Sequence, residues 1–144
     1  MKETKETYQV WFRDCKDYCV NYSEELDDAI EMANIGDAYN MEGMKAKYAD
    51  FMVYAVKALS YGYLGRIISR QEFIYAHLHI AKLSDLFSTY VKDAEHYYNG
   101  KFPTEQLDKV RNDLSYGGRR LFAMIDDLAD SLSFFVIKMK REEE

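Results

Sequence analysis

Cys15 and Cys19 stand four residues apart, the spacing that puts two side chains on one helix face, one turn apart. A zinc site needs two further ligands from elsewhere. No second cysteine pair exists, and His77-Leu78-His79 sends its two rings to different faces. The pair is therefore expected to be buried, reduced thiols of an intracellular protein, not metal ligands or a nucleophile. Asp93-x-x-His96 half-fits the Glu-x-x-His of di-metal carboxylate bundles, but that chemistry needs the motif on two helices and it occurs once. Asp126, Asp127 and Asp130 lack the glycine turn and alternating oxygens of a calcium loop and read as a solvated helix face. Tyr116-Gly117-Gly118-Arg119-Arg120 would cradle an anion if the helix broke at the glycines, because freed N–H groups and two guanidiniums would converge. A kink or a close helix crossing is the simpler reading. No phosphate-loop, dinucleotide, kinase or hydrolase motif occurs. The expectation is no catalytic residue, no metal and no cofactor.

Arg70 and His77 are seven residues apart, so on a helix they share a face two turns apart. Arg-x6-His resembles the signature of HEPN-type ribonucleases, helical bundles in which Arg and His cut RNA across a dimer. The resemblance rests on these two residues and lacks the polar neighbours usual in that motif. It implies an RNA-cleaving alternative using Arg70 and His77. The competing reading is a packed or surface histidine holding a hydrogen bond.

The densest signal is acidic. Glu24-Glu25-Leu26-Asp27-Asp28-Ala29-Ile30-Glu31 sets five acids around three apolar residues. Residues 21–50 hold eight acids against Lys45 and Lys47, so the whole net charge of −6 lies there and the rest sums to zero. Leu26 and Ile30 take the core face, which leaves Glu24, Glu25, Asp27, Asp28 and Glu31 expected to be exposed. A solubilising face is the plain reading. The functional reading is a docking surface for a protein partner with a basic surface, since acidic fields raise on-rates for cationic surfaces. The same charge repels phosphate backbones, so general nucleic-acid binding is not expected.

The elements that position these residues are helices. One Pro and seven Gly leave too few turn signals for a sandwich or barrel. The 48% apolar content, with thirteen Tyr, supplies a full core and argues against disorder. The first helical pattern runs from about Thr4 to Ala33, with Tyr8, Trp11, Phe12, Cys15, Tyr18, Cys19, Tyr22, Leu26, Ile30 and Ala33 on one face. Asn34-Ile35-Gly36-Asp37 reads as its break. The second runs from about Tyr39 to Ile67. Gly62 and Gly65 are placed to end it early. Ser69 and Glu72 form a capping box that opens the third, which runs to about Tyr98 before the loop Asn99–Pro103. Thr104-Glu105-Gln106 opens the last. There Leu107, Leu114, Leu121, Leu128 and Phe135 recur every seven residues, and Val110, Gly117, Met124 and Ser131 follow three later.

These patterns predict one all-α domain over residues 1–144: a long antiparallel four-helix bundle, up-down-up-down, with dimer completion through exchanged hairpins as the rival. The N-terminus shows no signal peptide, and Lys57 and Arg66 interrupt the most apolar run, so a cytoplasmic protein without a membrane span is expected. The functional expectation is a non-enzymatic interaction module of the immunity-protein, phage-inhibitor or complex-subunit type.

Overall fold

The computed structural model describes residues 3–34 and 41–143. The expected break after Asn34 therefore lies almost wholly outside the described residues. Four α-helices carry the chain: α1 (Lys5–Asn34), α2 (Met41–Leu64), α3 (Arg70–Tyr98) and α4 (Leu107–Glu143). There is no strand among the described residues. No helix among them is long and apolar enough to cross a membrane.

Helix starts and stops follow local chemistry. Ser69 accepts from the Glu72 N–H and Glu72 accepts from the Ser69 N–H, closing the capping box of α3. Asn99 and Gly100 close its other end, Gly100 in the left-handed region. A single 3-10 turn, Thr104–Gln106, leads into α4. Helix α2 stops at Leu64 because the next turn folds back. The Ile67 and Ile68 N–H groups both donate to the Gly62 carbonyl, and Arg66 takes a left-handed φ of 60°. A Cβ at Gly62 would stand 2.5 Å from Ile68 Cδ1 and 3.1 Å from a Phe12 ring carbon, so any larger residue there forces those side chains to shift.

Helices α1 and α2 pack face to face over small side chains. Cys15, Cys19 and Ala29 of α1 and Ala55, Ala58 and Gly62 of α2 are all buried. Short side chains let the two axes approach closely. Tyr8 meets Tyr61, Tyr22 meets Tyr54, and Lys47 pairs with Glu25, so residue numbers fall along α2 as they rise along α1. Along α2 and α3 the partners are Tyr63 with Phe73, Tyr48 with Phe87, and Lys45 with Glu95. Along α3 and α4 they are Glu72 with Lys138, His79 with Met124, and Tyr97 with Arg111.

The last helix corrects the expected heptad. Leu114, Leu121, Leu128 and Phe135 are buried as the seven-residue repeat requires, and so is Val110. Met124 is only half-buried and Ser131 is exposed. Their places are taken by Ile125 and Leu132, both at 0% exposure. A coiled-coil seam faces one neighbour, whereas α4 contacts both α1, where Arg13 reaches Met139, and α3. A helix wedged between two neighbours buries a wider arc, which shifts the inner edge by one residue. The helix also runs unbroken through Gly117-Gly118, so no anion nest of freed N–H groups forms there. Gly117 instead faces the Tyr90 ring, 3.5 Å from where a Cβ would sit.

Candidate functional site

The acidic segment occupies the last three turns of α1, beside the first turns of α2. Leu26, Ala29 and Ile30 are buried as expected, and Glu24, Glu25, Asp28 and Glu31 are exposed. Asp27 departs from the expectation. It is half-buried and lies between Ser23 and Ile30, one turn to either side on the same face, both buried. As in α4, the buried arc is wide because α1 touches α2 on one flank and α4 on the other. Asp27 falls on the α4 flank, where its carboxyl meets that of Asp126. Its Oδ1 is buried and has no hydrogen-bond partner among the described residues. Burial first, then the hydrogen-bonding contact with Asp126, then the charges of Asp126, Asp28 and Glu24 push the Asp27 carboxyl up to about 8. Asp27 is therefore turned toward Asp126 and away from the exposed acidic face. The partner-facing set reduces to Glu24, Glu25, Asp28 and Glu31.

Two of them, Glu25 and Asp28, rim a groove of about 220 Å³ between α1 and α2. Glu25 and Asp28 stand on one wall. Ala29, Met32 and Met44 form an apolar floor, and Lys47 closes one end with its Nζ 3.3 Å from Glu25. Gly43 lies on the far wall, with no atom within 4 Å of where a Cβ would sit. Nothing among the described residues requires glycine there. Methionine is flexible and polarizable, so this floor suits side chains of varied shape. Carboxylates above an apolar floor fit the ammonium or guanidinium of Lys or Arg, whose methylene stem lies on the methionines. Sequence reasoning found the rim and missed the floor. The only sequence signal for the floor was the helical spacing of Asp28 and Met32, which gave no hint that Gly43 and Met44 of another helix stand opposite.

The remaining candidates separate. Cys15 and Cys19 are buried free thiols. Burial, then the Cys15 charge, pushes the Cys19 thiol up to about 12, and burial raises Cys15 as well, so neither supplies a thiolate near neutrality. No group of three or more His, Cys, Asp or Glu side chains that would hold a metal ion occurs among the described residues. Arg70 is exposed at the start of α3. His77 is half-buried with its ring 4.5 Å from that of Phe73, and its Nε2 is buried without a hydrogen-bond partner among the described residues. No protein-family model matches the chain, and neither a curated protein nor a solved structure does.

Proposed function

We propose that the chain is a non-enzymatic interaction module: an antiparallel up-down-up-down four-helix bundle that binds, and so inhibits or scaffolds, a protein with a basic surface. The opposed numbering of every neighbouring helix pair supports the bundle arrangement. The observation that carries the function is the groove of Met32 and Met44 under the Glu25–Asp28 rim, in the segment that holds all of the net charge. The proposal takes the chain to act in the cytoplasm, where Cys15 and Cys19 stay reduced. The RNA-cleaving alternative has no comparable support. A general acid or base must reach its substrate, and the His77 Nε2 is enclosed.

The test starts from partner capture on the immobilised protein and continues with two variants. Gly43→Leu fills the groove in open space and replaces a helix glycine, so it keeps the fold. It is expected to weaken the captured complex at least tenfold. Reversing Glu24, Asp28 and Glu31 to Lys is expected to slow association several-fold at low salt, with the difference shrinking as salt is added, since the Debye length is only about 8 Å at physiological ionic strength. Stopped-flow rates measure the second effect. Native affinity in Gly43→Leu together with a native low-salt rate in the reversal variant would sink the proposal and move the interface elsewhere.

A further inference from the structure

From Arg70 to Lys82, α3 has no buried side chain, although Phe73, Ile74, Tyr75, Ala76, Leu78 and Ile80 lie in that stretch. A helix on the outside of a monomer turns polar residues to water. Here Ile74, Tyr75 and Leu78 point outward at 43%, 61% and 53% exposure. Across from them on α4, Phe134 and Ile137 are exposed at 55% and 50%. The Glu72–Lys138 and His79–Met124 contacts set the two helices side by side, and Tyr75 of α3 and Phe134 of α4 border adjoining grooves that share Glu72, Ser131 and Phe135. Between the two helices, beside Tyr75, runs a groove of about 280 Å³ that reaches down to Leu59 and Leu128, residues of the core itself. Single exposed apolar side chains are ordinary, but a contiguous patch opening onto the core marks an interaction surface.

The charges around the patch say what covers it. Arg66, Arg70, Lys140 and Arg141 lie at one end, at the start of α3 and the end of α4, all exposed. Asp127 and Asp130 lie on α4 at the other end, also exposed. No ion pair joins any of these six to another described residue. Phe134 is seven residues after Asp127 and seven before Arg141, so the three fall on one side of α4, with each charge about 10 Å from the ring along the axis. We propose that two copies of the chain pair in a twofold dimer through this face, their α4 helices crossing antiparallel at Phe134. A twofold axis there sets Asp127 of one copy against Arg141 of the other, and the same pair recurs across the axis. The apolar patch provides the affinity and the paired charges fix the register. The acidic groove of α1 and α2 is a separate surface, so the two proposals fail independently.

Sedimentation equilibrium of the full chain at micromolar concentration tests the dimer. The expected mass is twice the 17.0 kDa of one chain. Phe134→Ser is expected to give the single-chain mass with an unchanged helical circular-dichroism spectrum. Asp127→Arg alone, or Arg141→Asp alone, is expected to weaken the dimer at least tenfold, because each places like charges together at both contacts. The double exchange restores opposite charges at both contacts and is expected to recover the dimer. Wild-type chain that stays at the single-chain mass up to 100 micromolar overturns the proposal. So does a dimer indifferent to Phe134→Ser, or a double exchange that recovers nothing.

Discussion

In the α1–α2 hairpin, aromatic rings are used on one another. Trp11 lies 5.3 Å from Tyr61 and 5.7 Å from Tyr8, and Tyr54 sits between Tyr18 and Tyr22 at 5.0 and 5.6 Å. These rings clasp the edges of an interface whose centre is alanine, cysteine and glycine. In the first half of α3, a stretch just as apolar holds nothing buried, and its Tyr75 is the most exposed of its large apolar side chains. The difference lies in what each stretch faces. Helix α1 is seated between α2 and α4, and small residues let it approach closely. The start of α3 turns Ile74, Tyr75 and Leu78 outward and leaves the groove over Leu59 and Leu128 open beside it. The second half of α3 shows that the sequence can seat this helix. There Leu83, Phe87, Tyr90 and Ala94 are buried, and Tyr48 stacks on Phe87 at 3.7 Å while sharing a hydrogen bond with Ser84.

The largest effect that would break this contrast comes from one truncation made on both sides of it. Leu83→Ala and Leu132→Ala are each expected to cost about 2–5 kcal/mol, because both side chains are fully buried. Leu78→Ala, five residues before Leu83 on the same helix, is expected to cost less than about 0.5 kcal/mol in dilute solution. Urea unfolding midpoints measure all three. A Leu78 cost like that of Leu83 would mean that the first half of α3 is packed after all.

A smaller effect is expected inside the hairpin. Gly62→Ala forces Ile68 and Phe12 to shift and is expected to cost about 1–3 kcal/mol, despite the better helix propensity of alanine. Thermal unfolding reads this, and a stabilised variant would show that α1 and α2 are not tightly apposed.

A separate effect, of pH, is expected at the α1–α4 contact. The native Asp27 carboxyl titrates near 8 while an unfolded one titrates near 4, so between those values the folded chain binds more protons than the unfolded chain. Stability carried by this site therefore falls as pH rises from about 4 to about 8. Asp27→Asn removes that slope. Relative to wild type, the variant is expected to be more stable at pH 9 than at pH 5, in paired melting curves. A wild-type advantage that instead grows with pH would show that Asp27 and Asp126 do not face each other.

Much of this protein follows from local chemistry. The Ser69–Glu72 box, the Asn99–Pro103 loop and the scarcity of Gly and Pro depend on residues near one another in the chain, and they fix four helices and most of their ends before any packing occurs. The exposed set Glu24, Glu25, Asp28 and Glu31 was legible for the same reason, since Leu26 and Ile30 fix the helix phase. What periodicity does not contain is the width of the buried arc, because that depends on how many neighbours a helix has. Two neighbours turned Asp27 inward against Asp126, and exchanged Met124 and Ser131 for Ile125 and Leu132. Continuous hydrogen bonding of a helix held on both flanks carried α4 through Gly117-Gly118. The methionine floor and the patch at Phe134 each join residues of two helices. No spacing along one helix records which residues of another will stand across from it, so the tertiary structure alone decided both.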